Sequence, residues 1–356
     1  EGTGHTSFET GEFSADLQGS FPRVEKLLAG GLGGALSLET HLEGNWKALE
    51  TNPVHSDGQA SIYGLSLGDL RGEQAEATWD LEISRNDDQL SLFGPLEFRA
   101  DRLLVPGIPP MARASLSTTL RGRSADISLQ GSDGPELLAS LRARVDWNKL
   151  PSISLEGESL ELLAGDFVLQ SQEPFSLRAR DGRFSLNRLM LTSGEGSVSV
   201  QGLFDSTKPS ISSTIRVQGF DLSQLESAIG QFDLRSQDKD DLRIAGMVNE
   251  LLLKVSGKLN NPEISLNTSS ENVSFNEYGP IDLAATLQSG SGSVHGEVRF
   301  GDALGLELTK APLSLRLAGQ HLVELEPSGA WDVSARLART SVADLAPLLG
   351  RDLHQD

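Results

Sequence analysis

The sequence predicts an all-β chain, an elongated and repetitive sheet folded into an open groove, with a closed β-solenoid as the alternative. Three observations predict it. Apolar and polar residues alternate with period two over most of the 356 residues. Turn residues recur every ~8–12 positions, drawn from 37 glycines and 15 prolines. One phrase also returns. Residues 253–264, LKVSGKLNNPEI, and residues 198–211, VSVQGLFDSTKPSI, share it. Each runs apolar, polar, apolar, polar, glycine, any residue, apolar, then a short polar stretch and Pro-x-Ile. Leu253, Val255, Gly257, Leu259, Pro262 and Ile264 hold the frame in one; Val198, Val200, Gly202, Phe204, Pro209 and Ile211 hold it in the other. A looser copy has Leu42, Gly44, Trp46 and Pro53, and a fragment has Val294, Gly296 and Val298. A repeated strand–glycine–strand–turn unit describes stacked rungs rather than one compact core.

Along the chain, residues 21–30 place Phe21, Val24, Leu27 and Leu28 at helical spacing and predict a short helix. Alternation follows at Leu36/Leu38, Leu90/Leu92, Ile127/Leu129, Ile153/Leu155, Phe175/Leu177 and Phe184/Leu186. Gly94-Pro95, Pro109-Pro110, Asp133-Gly134-Pro135 and Asp181-Gly182 mark turns between these runs. A second short helix is expected over 220–230, from Leu222, Leu225 and Ile229, and an exposed loop over 235–243, RSQDKDDLR. Strands resume at Ile264/Leu266, Val273/Phe275 and Ile281/Leu283, punctuated by Asn260-Asn261-Pro262 and Gly279-Pro280. Leu313, Leu315 and Leu317 continue the pattern, and 341–349 predicts a third short helix, with Ser341 and Asp344 resembling a capping pair. No shift of composition marks a boundary, so residues 1–356 read as one continuous section. At ~11 residues per strand, roughly thirty rungs are expected at ~4.8 Å spacing.

Composition narrows the function. A formal charge of −20 leaves no basic footprint for nucleic acid and opposes broad attraction to an anionic membrane surface. With no cysteine there is no disulfide, thiolate metal site or cysteine nucleophile. No run of 18 apolar residues spans a bilayer. No signal peptide opens the chain, and the abrupt start at Glu1 reads as an interior piece of something longer.

The sequence carries no catalytic signature, so no enzyme, cofactor or metal is expected. GLSLG at 64–68 matches the nucleophile-elbow pattern around Ser66, but strand-like residues follow where that motif requires a helix. The histidines, His5, His41, His55, His295, His321 and His354, include no pair at metal-binding local spacing and read as surface or turn residues. Asp238, Asp240 and Asp241 lack the glycine and final glutamate of a calcium loop, with Arg243 and Asn249 in those places. GGLGG at 30–34 is in the wrong frame for a phosphate site, and Glu156 and Glu158 alternate onto a solvated strand face. A polysaccharide-active β-helix enzyme would need a basic or metal-binding cleft, which is not found.

What remains is apolar. A continuous apolar stripe must be covered. A solenoid seals it into a dry structural or adhesive rod; an open trough leaves it to something apolar that is not protein. Gaps of five, seven and nine residues between phrase glycine and phrase proline suit an open trough better than a tight coil. Acyl chains are the natural cargo, since a chain of about sixteen methylenes stands to lose on the order of 13 kcal/mol in water. The expected lining is Val198, Val200, Ile211, Ile215, Val217, Leu253, Val255, Ile264, Leu266, Val273, Phe275, Ile281 and Leu283.

At these phrases the chain resembles the AsmA-like superfamily, and within it the TamB proteins of the translocation and assembly module. The segments VSVQGLFDSTKPSISSTIRVQGFDLSQLESAIG (198–230) and LKVSGKLNNPEISLNTSSENVSF (253–275) carry the likeness. FPRVEKLLAGGLGGALSLETHLEGNW (21–46) and SVADLAPLL (341–349) resemble the short helix that precedes a new run of strands there. The resemblance implies a periplasmic protein held in the inner membrane of a double-membrane bacterium. Its groove would shield the acyl chains of phospholipid moving toward the outer membrane, with a BamA-like barrel as partner in outer-membrane biogenesis. The family's membrane anchor and barrel-engaging domain have no counterpart in these residues.

Overall fold

A computed structural model describes residues 2–7, 9–23, 32–86, 89–104, 111–134, 137–149, 152–165, 167–224, 243–259, 261–276, 278–290, 293–311, 313–318, 321–327 and 332–338. They form 23 strands, 21 of them in one antiparallel sheet. The chain is all-β, as the alternation predicts. The strands are fewer than thirty because many run 13–17 residues rather than ~11. The chain divides into two compact units, Glu1–Leu163 and Ala164–Asp356.

The first unit is a meander. It comprises β1 (Gly2–Thr6), β2 (Glu12–Phe21), β3 (Leu32–Asn45), β4 (Val54–Leu67), β5 (Leu70–Asn86), β6 (Gln89–Leu103), β7 (Met111–Gly122), β8 (Ser124–Ser132), β9 (Leu137–Lys149) and β10 (Ser152–Ala164). Each strand from β1 to β8 pairs with the next. Directly opposed residues share a face, so the registers generate rows. One row runs Leu36, Ile62, Ala75, Ala100, Ala114 and Gly131. Its alanines are at most 7% exposed and, with Leu65 and Leu103, make the unit's small core. Alanine buries easily here because taller neighbours, Ile62, Phe98 and Met111, pack over it.

The second unit comprises β11 (Phe167–Ser171), β12 (Phe175–Arg180), β13 (Arg183–Ser193), β14 (Gly196–Asp205), β15 (Ser210–Asp221), β16 (Ile244–Lys258), β17 (Asn261–Phe275), β18 (Tyr278–Gly290), β19 (Ser293–Phe300), β20 (Leu304–Ala311), β21 (Leu313–Ala318), β22 (His321–Pro327) and β23 (Asp332–Leu337). From β12 to β19 each strand pairs with its successor, and β23 pairs with β20. Strands β21 and β22 form a separate hairpin, and β21 lies nearest β17 and β19.

Turn chemistry explains the hairpins. Asp181 and Gly182 both take positive φ, 49° and 74°, the two-residue turn whose twist matches antiparallel strands. Asp205 closes the turn from β14 to β15. Its carboxylate accepts hydrogen bonds from Thr207 Oγ1 at 2.6 Å, Thr207 N at 2.9 Å and Lys208 N at 3.1 Å, and pairs with Arg183 Nε at 2.9 Å. These bonds, Thr207 foremost, hold its carboxyl far below the usual carboxylate range. The stabilisation is present above the ordinary value of 3.8 and is lost as pH falls through the depressed one. Asp205→Ala is therefore expected to lower stability at pH 7, with the difference from the parent shrinking below about pH 4; denaturant unfolding at pH 7 and pH 3 measures both.

The expected helices fare differently. Over 21–30, Phe21 is instead the last residue of β2, paired with Leu36, and Pro22 is a bend. The rest of that expected helix, residues 24–30, lies outside the described residues. Over 220–230, Phe220 and Asp221 end β15, while Ser223 and Gln224 are helical. The Asp221 carboxylate accepts from Ser223 N at 2.9 Å, an N-terminal cap. Residues 225–230, all of 341–349 and the predicted loop over 235–242 lie outside the described residues.

Candidate apolar lining

All thirteen expected lining residues lie on one face of the second unit, on five consecutive strands, β14–β18. One row passes Val200, Ile215, Leu253 and Leu266 in direct register. It extends beyond the expected set, back to Leu189 on β13 and onward to Leu287, Gly296, Leu308 and Val333 on β18, β19, β20 and β23. It therefore crosses nine strands. A second row runs Leu191, Val198, Val217, Leu251, Thr268, Ala285, Val298, Leu306 and Ala335. A third places Val255 opposite Ile264, and a fourth places Ile211 opposite Phe204.

Toward the other end of the strands the rows cross bulges. Phe220, Val248, Ser270, Leu283, Phe300, Leu304 and Leu337 form one row. Register shifts between Val248 and Glu250, and between Ser270 and Val273, insert one extra residue each. Gly219, at φ 58°, turns the chain between Val217 and Phe220. Across each irregularity the inward residue moves from the second to the third position. This keeps Phe220 and Val248 on the apolar face, where they are 4% and 8% exposed. Val273 opposes Ile281, and Phe275 opposes Tyr278 at the end of the strands.

Burial along this face is partial. Twelve of the thirteen expected residues are half-buried and Phe275 is 48% exposed. Lateral neighbours lie ~5 Å away on the adjoining strands, and part of each half-buried side chain stays accessible. The fully buried large side chains among the described residues of this unit are Phe167, Leu191, Phe220 and Val248. Phe184, Val333 and Leu337 are 44–64% exposed. The opposite face carries Ser199, Arg216, Thr214, Lys254 and Ser265, and Glu297 there pairs with Arg299 at 2.8 Å and 3.0 Å.

Chemistry-bearing groups are sparse. Ser66 sits at the end of β4, and Gly68-Asp69 turns directly into β5, so no helix follows it. Among the described residues no three His, Asp or Glu side chains converge to hold a metal ion, and no helix is long and apolar enough to cross a membrane. His41 and His55 are strand residues rather than turn residues, and the pairing of β3 with β4 brings them to one face. The first unit also has an apolar face, including Leu38, Phe98, Leu116, Ile127, Leu129 and Leu141, which the expected lining omits. Alternation alone could have found it, since Leu36/Leu38 and Ile127/Leu129 already mark its strands. No family model, curated protein or solved structure matches the chain.

Proposed function

We propose that the apolar face of the second unit shelters the acyl chains of membrane lipids, and that the chain is a section of a periplasmic, bridge-like lipid-transfer protein of the TamB kind. In that role it carries phospholipid between the inner and outer membranes and contributes to outer-membrane biogenesis. A membrane anchor and a BamA-like barrel partner belong to other parts of such a protein.

The observation that carries this reading is the run of apolar rows over nine paired strands, most of whose members are only partly buried. Contact with hydrocarbon is non-directional and scales with area. A surface repeating every ~4.8 Å lets an acyl chain advance by small, nearly equal steps. A bound peptide would instead need fixed hydrogen-bonding partners, and this face offers few polar groups beyond Thr268, Ser270, Ser213 and Ser289.

Native mass spectrometry of the chain after incubation with phospholipid vesicles tests the reading. The expected spectrum contains protein with one or more bound phospholipids. A spectrum of bare protein at every lipid concentration would mean that the face is closed against hydrocarbon, as in a structural rod.

A further inference from the structure

The polar side of the first unit carries an arrangement that lipid shelter does not use. Two rows there run in direct register across β2–β5. One is Ser14, Glu43, His55 and Glu82; the other is Asp16, His41, Asp57 and Asp80. These eight positions hold five carboxylates, two imidazoles and no Lys or Arg, and Glu39 adds a sixth carboxylate two residues from His41 on the same face. Asp57 and Asp80 are directly opposed, a like-charge pairing that weakens a sheet.

Both imidazoles have both ring nitrogens facing carboxylate oxygens. His41 Nδ1 is 2.7 Å from Asp16 Oδ1, and its Nε2 is 3.6 Å from Glu43 Oε2. His55 Nε2 is 3.5 Å from Asp57 Oδ1, and its Nδ1 is 3.6 Å from Asp80 Oδ1. A neutral imidazole donates from one nitrogen and presents a lone pair from the other. In either tautomer one nitrogen therefore meets a carboxylate as acceptor against acceptor. An imidazolium donates from both, and its charge offsets the opposed carboxylates.

We propose that His41, beside His55, forms a proton-dependent clamp that tightens the pairing of β2, β3 and β4 as pH falls through the imidazole range. The groups facing them are Asp16 on β2, Glu39 and Glu43 on β3, Asp57 on β4, and Asp80 and Glu82 on β5. All are acidic, so every charge facing His41 favours its imidazolium. The hydrogen bond to Asp16 raises His41 above its ordinary 6.5, desolvation opposes it, and Glu43 adds to it. A folded-state value above the unfolded one gives stabilisation that is complete below 6.5 and is lost as pH rises through the folded value.

The test compares thermal midpoints at pH 6 and pH 8 in low salt, where carboxylates stay ionised and exposed charges are weakly screened. The parent chain is expected to melt higher at pH 6. The double variant His41→Gln/His55→Gln is expected to lose most of that difference, while His295→Gln, on β19, keeps it. A double variant that retains the parent's full pH 6 to pH 8 difference overturns the proposal. Should that variant not fold, the His41 titration followed by NMR decides instead. Asp16→Asn is expected to lower its midpoint, and an unchanged midpoint overturns the clamp.

Discussion

Val255→Arg combined with Leu266→Arg is expected to leave the strands paired and to abolish phospholipid association. The two residues are diagonal neighbours on β16 and β17, within a lattice where Val255 opposes Ile264 and Leu253 opposes Leu266. Both are half-buried, so an arginine stem can lie along the face and carry its guanidinium to water. The expected cost to folding is about 1–2 kcal/mol per site, part of the value of a fully buried aliphatic side chain. The effect on hydrocarbon is larger. An acyl chain crossing these strands must either displace the two guanidiniums or desolvate them, and an unpaired charge beneath apolar matter costs more than ~2 kcal/mol. Bound lipid should fall by more than tenfold. Ser265→Arg, opposite Lys254 on the other face, is the matched control and should bind lipid like the parent. Circular dichroism and native mass spectrometry on the three proteins separate the outcomes. Loss of strand signal in the double variant alone would identify these positions as sealed core, and folded protein with undiminished lipid would place the lipid elsewhere.

The strands of this fold were legible because alternation is a direct record of a half-covered sheet. Leu253, Val255, Ile264 and Leu266 announce their face by spacing alone. The same signal fails where the backbone is irregular. Counting by two from Leu253 and Leu251 assigns Val248 to the polar side, and counting from Val217 does the same to Phe220. The structure puts both on the apolar face, because bulges and Gly219 shift the alternation by one residue. Nothing in a single sequence distinguishes such a shift from the end of a strand. Long-range register was also hidden. His41 and His55 have no local histidine neighbour in sequence; only the β3–β4 pairing brings them to one face, and only β2 and β5 bring Asp16 and Asp80 to them. Phe21 itself is a strand residue for a related reason: its apolar spacing suited a helix, but a partner strand supplied Leu36 as the next rung.

Gly296→Ala is expected to be among the most damaging single-methyl additions in the chain. Gly296 is the one position without a side chain in the long row, between Leu287 and Leu308. Its φ is 147°, within the region that L residues avoid. A Cβ built there overlaps the Thr286 carbonyl oxygen and presses on Leu287 Cα at 2.9 Å, both parts of the neighbouring backbone. Backbone cannot swing aside as a flexible side chain can, so β18 and β19 must separate locally. Strain at such a position costs about 1–3 kcal/mol before the overlap is counted, and the total should exceed ~2 kcal/mol. Gly305, on the adjacent β20, is the contrasting case. A Cβ there has nothing within 4 Å and φ is ordinary, so Gly305→Ala should change stability by less than ~1 kcal/mol. Denaturant unfolding of the two variants gives the comparison directly. Equal midpoints would mean that the close approach of β18 and β19 at Gly296 is not a feature of the folded protein. A large drop confined to Gly296→Ala would tie the bare position in the row to the close approach of β18 and β19.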